Sequence, residues 1–204
     1  MKAIARLHAI TQNLPHISHA EQARRACAGG AKGIQLRVKN ADAATLRAEA
    51  RATLAICQAA GAALIINDHA PLAAEIGAAG VHLGKQDFAP DEARRMLGPA
   101  FLIGGTANTF ADILRLADMG VDYIGLGPFR FTETKENLSP ILGLEGYRNI
   151  ALQCREAGIG MPVIAIGGIR GGGGAAIRET GLYGGAGSSA VNPAEAPGQA
   201  TTAF

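Results

Sequence analysis

Short apolar runs alternate with longer amphipathic runs along the whole chain. Between the apolar runs, small and apolar residues recur at near 3.6-residue spacing, as Leu46, Ala50, Leu54 and Cys57 do within residues 43–60. The apolar runs predict eight strands, at residues 5–11, 33–39, 63–68, 80–84, 101–107, 122–128, 162–168 and 183–191. The chain therefore has the regular alternation of strand and helix that is typical of an α/β protein.

Eight strands separated by seven helical stretches fit two architectures, a closed barrel or an open doubly wound sheet. The open sheet usually carries GxGxxG after its first strand, and this chain has no such motif. Its nearest match, at Gly125 and Gly127, has Arg130 where the third glycine is needed. We therefore predict an α/β chain with a (β/α)8 TIM barrel, folded as a single domain over residues 1–204.

The last predicted strand differs from the others because it is rich in glycine. Each glycine inside a strand costs about 0.5–1 kcal/mol and gives the core no side chain. The tail that follows contains Pro193 and Pro197. We therefore expect a weak last strand, loose closure of the barrel there, and a short or absent eighth helix.

Composition and charge narrow the possible partners. Of the 204 residues, 48% are hydrophobic, 4% are aromatic, and the formal charge of +2 comes from scattered cations. The sequence therefore predicts no nucleic-acid partner, and the lack of an apolar run of about 20 residues predicts no membrane partner. Three widely spaced cysteines without CxxC favour a reduced, cytoplasmic protein. Oligomeric state is left open.

Polar side chains alternate with apolar ones in the second predicted strand. A period of two places Gln35, Arg37 and Lys39 on one face, with apolar residues on the other. In a barrel the polar face would point inward near the mouth, where two cations need an anionic partner. The alternative is a solvated edge strand.

Carboxylates follow the third and fourth strands. Asn67 and Asp68 end one strand, and Asp87 lies just beyond the next. Carboxylates from neighbouring strand ends are suited to Mg²⁺, which binds one or two of them together with phosphate oxygens. Asn and Asp are also ordinary turn residues, and Asp87 alone fits a surface acid equally well.

Hydroxyls, glycines and a lysine follow the last three strands. Thr132, Thr134 and Lys135 form a loop suited to phosphate oxygens. Gly168 ends strand seven, and Ser188 and Ser189 lie at the end of strand eight, where barrels commonly bind phosphate through backbone N–H groups. His82, between two apolar residues, is more simply interpreted as an interior histidine with satisfied nitrogens.

Seven segments in collinear order, over residues 7–197, give the chain its resemblance to a known family. They read QLRVK at 35–39, IIND at 65–68, GVHLGKQD at 80–87, IGGTANT at 103–109, YIGLGPFRFTETK at 123–135, AIGGI at 165–169 and SSAV at 188–191. The pattern resembles the thiamine-phosphate synthase (thiamine-phosphate pyrophosphorylase) family, which includes thiazole tautomerase relatives.

The resemblance implies a Mg²⁺-dependent transferase. Such an enzyme condenses 4-amino-5-hydroxymethyl-2-methylpyrimidine diphosphate with hydroxyethylthiazole phosphate, giving thiamine phosphate and diphosphate. The roles that the resemblance implies are pyrimidine diphosphate binding for Gln35, Arg37, Lys39 and Lys135, a place near the pyrimidine for Asn67, metal binding for Asp68 and Asp87, and thiazole phosphate binding for Thr132, Thr134, Gly168, Ser188 and Ser189. Among these residues, Arg37, Lys39 and Lys135 are expected to be catalytic.

Two departures from the family pattern bear on function. Thr106, which the resemblance implies binds substrate, stands where the family usually has Ser, and it keeps the hydroxyl. Asn108 replaces a His that the tautomerase relatives are thought to use. The second change favours a synthase over the alternatives, which are a tautomerase-like isomerase and a non-catalytic regulator that binds thiamine phosphate.

Overall fold

A computed structural model describes residues 2–131, 140–169 and 173–188. Its eight strands are all parallel and form one closed barrel in chain order, which confirms the predicted architecture. The strands are β1 (Leu7–Ile10), β2 (Gly33–Leu36), β3 (Ala63–Asn67), β4 (Gly80–Leu83), β5 (Leu102–Ala107), β6 (Tyr123–Leu126), β7 (Val163–Ile166) and β8 (Gly184–Gly187). Each lies within its predicted segment.

Seven helices connect these strands in the described ranges. They are α1 (His19–Ala28), α2 (Ala43–Ala60), α3 (Ala70–Ile76), α4 (Pro90–Leu97), α5 (Phe110–Asp118), α6 (Gly143–Glu156) and α7 (Gly174–Arg178). Local sequence sets their ends: the Asp42 carboxylate accepts from the N–H of Thr45, and Thr109 begins α5 with a capping box. Gly61 ends α2 in the left-handed conformation.

The barrel has an outer core and an inner core because successive residues of a strand face opposite sides. Ile34 and Leu36 of β2 belong to the outer core, between strands and helices. Ile65, Tyr123 and Ile164 belong to the inner core. The apolar pattern alone does not tell which residues face the barrel interior and which face the helices. Continuous apolar runs are nevertheless typical of strands that are buried on both faces.

The glycine-rich last strand closes the barrel. Register pairs Gly184 with Ile164 of β7 and Gly185 with Leu7 of β1. A Cβ atom on Gly184 would lie 1.9 Å from the backbone oxygen of Arg6, so close approach of the two backbones requires glycine at this position. β8 therefore pairs with both of its neighbours and the barrel is closed there. The expectation of a short or absent eighth helix concerns residues 192–204, which lie outside the described residues.

The second strand ends earlier than predicted. β2 stops at Leu36, so residues 37–39 no longer follow strand alternation. Asn13 holds this segment through both backbone groups of Lys39, donating to its oxygen at 2.7 Å and accepting from its nitrogen at 3.2 Å. Lys39 is exposed and lies three residues beyond the end of β2, so strand alternation does not place its side chain on the same face as Gln35.

A charged network lies at the barrel end where the strands begin. Asp122 accepts from Arg94 at 2.6 Å, Lys2 at 3.0 Å and the N–H of Ile103 at 2.8 Å. Burial raises the pKa of Asp122, but these donors outweigh burial and the net shift is downward. The network ties residues 2, 94 and 103 together at this end.

Within the described ranges, no helix is both long enough and apolar enough to cross a bilayer.

Candidate active site

The predicted site residues within the described ranges lie where the strands end. Because all eight strands are parallel, these ends meet at one mouth of the barrel. The predicted residues at this mouth are Gln35, Arg37, Lys39, Asn67, Asp68, Asp87, Thr106, Gly168 and Ser188. Thr132, Thr134, Lys135 and Ser189 lie outside the described residues.

The end of β2 supplies an amide and a guanidinium. Gln35 is fully buried and occupies an inward strand position, whereas Arg37 is half-buried. The N–H of Arg37 donates to the Thr11 hydroxyl oxygen at 3.1 Å, and that hydroxyl is 2.7 Å from His19 Nδ1. Burial lowers the pKa of Arg37, and the nearby charge of Asp68 acts in the opposite direction. Thr11, which anchors the Arg37 backbone, was not among the sequence predictions.

The two predicted metal ligands lie side by side. The pKa of Asp68 is raised to about 7, first by burial and then by its hydrogen bond with Asp87 and the Asp87 charge, while Arg37 and Asn67 oppose the shift. Asp68 has a left-handed backbone, with φ of 68°. Asp87 is exposed, and it accepts from the N–H of Gly84 at 2.6 Å. β3 and β4 therefore bring two carboxyl groups together at the mouth.

This carboxyl pair fits a divalent cation. The neighbouring Asp87 carboxyl contributes to the upward shift of the Asp68 pKa, as expected for two acidic groups that lie close together. Mg²⁺ commonly binds one or two carboxylates and takes its other ligands from water and phosphate. In the part of the chain that the structure describes, no group of three or more His, Cys, Asp or Glu residues is placed to hold a metal. The pair is thus suited to a cation completed by substrate oxygens.

Thr106 connects the mouth to a polar chain inside the barrel. Its hydroxyl lies 3.0 Å from His82 Nε2, and His82 Nδ1 lies 3.1 Å from the hydroxyl of Tyr123. All three side chains are buried. The simple interpretation of His82, an interior histidine with both nitrogens satisfied, is confirmed. Tyr123 was not among the sequence predictions. The available signal was that His82 on β4 and Tyr123 on β6 both occupy inward strand positions.

The loop after β6 is anchored where it leaves the barrel. Asn108 donates to the Gly127 oxygen at 2.5 Å, and the Gly127–Pro128 peptide bond is cis. The N–H of Phe129 donates to the oxygens of Ile166 and Gly167, at 3.0 and 2.9 Å. The predicted phosphate loop therefore starts from a fixed base beside β7, and Asn108 binds backbone where the family pattern has His.

Glycine and serine lie at the ends of β7 and β8. Gly168 has φ of 75°, and a Cβ there would lie 2.9 Å from the Cβ of Arg130 and 3.0 Å from its backbone oxygen. Glycine is thus required both by its backbone conformation and by the approach of the β6 loop. Ser188 follows β8 directly and is half-buried. Backbone and hydroxyl groups here occupy the part of the mouth that commonly binds phosphate in barrels.

The structure is a closed eight-stranded barrel that carries a guanidinium, paired carboxyl groups and glycines at one mouth. These features are typical of barrel enzymes that bind phosphorylated ligands. The family model described as thiamine monophosphate synthase matches residues 7–191. The chain belongs to this family, as the resemblance of its motifs predicted.

Individual relatives agree with this assignment. The chain is 51% identical over 195 residues to the thiamine-phosphate synthase of Bacteroides fragilis, with 96% of each chain covered. It is 42% identical over 207 residues to the thiamine-phosphate synthase of Salinibacter ruber, covering 100% of this chain and 88% of that one. Among solved structures, it is similar to thiamine phosphate pyrophosphorylase from Pyrococcus furiosus, with a TM-score of 0.82, 30% identity and coverage of 97% and 92%.

Proposed function

We propose that the chain condenses 4-amino-5-hydroxymethyl-2-methylpyrimidine diphosphate with hydroxyethylthiazole phosphate, giving thiamine phosphate and diphosphate. The observation that carries this proposal is the placement of the Arg37 guanidinium beside the Asp68–Asp87 pair at one barrel mouth. A diphosphate leaving group gains negative charge as its carbon–oxygen bond breaks, so cationic groups fixed beside it stabilise the transition state. Family membership supports the same reaction.

The residues present divide the work between the two substrates. Arg37 binds the diphosphate, with Lys39 and Lys135 proposed as further cations. Asp68 and Asp87 would hold Mg²⁺, which when bound supplies positive charge that opposes the charge developing on the departing diphosphate. Gln35 and Asn67 orient the pyrimidine from the ends of β2 and β3. Holding both substrates in line can itself contribute about 7–11 kcal/mol.

The opposite part of the mouth is proposed for the thiazole phosphate. Gly168 and Ser188 support it by their positions after β7 and β8. Thr132, Thr134 and Ser189 are assigned to the same phosphate from their sequence positions. The phosphate would thus be held at the strand ends where barrels most often bind one.

The reaction is proposed to need no covalent enzyme intermediate. The three cysteines lie on α1, α2 and α6 and pack in the outer core, so their thiols are not at the mouth. The diphosphate leaves with the electron pair of the carbon–oxygen bond, and the thiazole nitrogen then captures the resulting pyrimidine cation. Three free thiols also support a reducing compartment, the cytoplasm, as the proposed location.

A direct assay tests the proposed function. The purified chain is incubated with both substrates and Mg²⁺, and diphosphate release is measured with a coupled enzyme while thiamine phosphate is measured by chromatography. Equal amounts of both products are expected. Binding of both substrates without diphosphate release would overturn the proposal. Isomerisation of a thiazole carboxylate phosphate, or thermal stabilisation by thiamine phosphate without turnover, would instead identify the two alternatives.

The metal assignment has its own test. Asp68→Asn and Asp87→Asn are each expected to raise the Mg²⁺ concentration for half-maximal rate by about tenfold or more, because each removes one carboxylate ligand. Asp118→Asn, at an exposed position in α5, is the matched control for loss of one carboxylate. Magnesium titrations that are the same in all four proteins would remove both residues from the metal site.

A further inference from the structure

The polar chain inside the barrel links three side chains by hydrogen bonds. It runs from the Tyr123 hydroxyl through the imidazole of His82 to the hydroxyl of Thr106, over distances of 3.1 and 3.0 Å. The three side chains are 1%, 4% and 6% exposed, so water does not compete for these groups. Each hydrogen in the chain therefore needs a partner within the protein or a bound ligand.

Tyr123 begins the chain as a donor. Burial raises the pKa of its hydroxyl well above the usual value, so the hydroxyl keeps its hydrogen. Among the described residues, His82 is the hydrogen-bond partner found for this hydroxyl. If His82 Nδ1 carried a hydrogen and donated to Tyr123, the phenol hydrogen would stay buried and unbonded, at a cost of about 1–3 kcal/mol. The favoured order has Tyr123 donating to Nδ1.

That order fixes the tautomer of His82. A neutral imidazole carries one N–H, so acceptance at Nδ1 places the hydrogen on Nε2. Nε2 then donates to the Thr106 oxygen, and the hydrogen of the Thr106 hydroxyl is directed to another acceptor. With the opposite tautomer, Thr106 would spend its hydrogen on His82 and present only oxygen lone pairs.

Two glycines hold the imidazole in place. A Cβ on Gly104 would lie 2.6 Å from His82 Nδ1 and 2.2 Å from Tyr123 Cζ, and a Cβ on Gly125 would lie 2.9 Å from His82 Cε1. Both glycines occupy inward positions in β5 and β6. The ring is thus packed directly against the strand backbones, which limits its rotation and keeps both nitrogens aimed at their partners.

We propose that His82 and Tyr123 are positioning residues that hold Thr106 as a hydrogen-bond donor at the barrel mouth. The assignment rests on the proposed function for the identity of the acceptor, an oxygen or an unprotonated ring nitrogen of the pyrimidine diphosphate. Thr106 keeps its hydroxyl hydrogen for the substrate because its oxygen already accepts from Nε2. Residues inside the barrel therefore determine that Thr106 acts as a hydrogen-bond donor at the mouth.

The tautomer can be measured on the unmodified chain without substrate. Two-bond ¹H–¹⁵N correlation of histidine-labelled protein is expected to show His82 with Nε2 protonated and Nδ1 unprotonated, its signals being assigned by their loss in His82→Gln. A protonated Nδ1 with unprotonated Nε2 would overturn the proposal. This result does not depend on turnover, so it is separate from failure of the proposed function.

Substitutions test the consequence for binding. Tyr123→Phe removes the donor that sets the tautomer and is expected to weaken pyrimidine diphosphate binding about fivefold to tenfold, measured by calorimetry. Thr106→Val should weaken binding of the pyrimidine diphosphate at least as much, whereas Thr106→Ser should retain the affinity of the parent chain. Tyr183→Phe is the matched control, because the Tyr183 hydroxyl donates to Ile4, away from this chain. Parental affinity in both Tyr123→Phe and Thr106→Val would overturn the proposal.

Discussion

Replacing His8 is expected to remove part of the loss of stability that acid causes. His8 is 3% exposed, and its ring packs edge-on against Tyr123 with centroids 5.1 Å apart. Burial lowers its pKa from 6.5 to about 4, while a hydrogen bond to the Ala5 backbone acts weakly in the opposite direction. The unfolded chain therefore binds a proton at His8 more readily than the folded chain does.

The sign and size of the effect follow from this difference. Above pH 6.5 His8 is neutral in both the folded and the unfolded state, so its titration does not lower the free energy of unfolding. As the pH falls from 6.5 to about 4, the unfolded state gains a proton that the folded state excludes, and stability is lost. A difference of about 2.5 pH units at 1.36 kcal/mol each gives a loss of about 3 kcal/mol, of which most is reached by pH 4.5.

Guanidinium unfolding of the parent chain and His8→Gln, at several pH values between 7.5 and 4.5, measures this contribution. The glutamine loses packing at every pH, but the gap in unfolding free energy between parent and variant should narrow by about 2–3 kcal/mol toward acid. Contributions from Asp68 and other titrating groups are shared and cancel. His16→Gln, at an exposed position, controls for loss of one imidazole. A gap that stays constant with pH would refute the argument.

Three further changes test the packing, the far-end network and the site. Gly104→Ala should cost about 1–3 kcal/mol in guanidinium unfolding because its Cβ meets Tyr123, and Gly160→Ala, with open space around it, should cost less than 1; equal costs would contradict the packing argument. Asp122→Ala should lower the unfolding free energy by about 2–3 kcal/mol, since it removes the anion beside two cations and leaves the N–H of Ile103 without its acceptor; a change within about 0.5 kcal/mol would show the network to be dispensable. Arg37→Ala should reduce kcat/KM by about 100-fold or more while unfolding free energy changes by less than about 1 kcal/mol; comparable losses in both would make Arg37 structural.

The strand pattern predicted the architecture because both faces of every strand are buried. Apolar runs such as residues 63–66 stand out from the amphipathic helices between them, and parallel strands then place their carboxyl ends at one mouth. Asp68 and Asp87 could be brought together on this reasoning without any distance information. The side-by-side arrangement that the structure gives them follows from the adjacency of β3 and β4.

Other features depend on contacts that periodicity does not encode. β2 ends at Leu36, and just beyond it Asn13, from another loop, binds both backbone groups of Lys39. Gly184 was interpreted as a weakness, since only the approach of Arg6 reveals that a side chain would be excluded. Tyr123 joins the site through an imidazole two strands away in the barrel order. Each case needed the register between distant segments.

The pairing of β8 with β1 has a consequence during synthesis of the protein. β1 is the first of the eight strands to be made, yet one of its two neighbours in the barrel, β8, is the last of the eight. Until then the nascent chain presents an open row of amide and carbonyl groups, which is a template for pairing with other chains. The close approach of Arg6 leaves no room for a side chain at residue 184. The free edge of β1 is therefore covered when the glycine-rich β8 pairs with it.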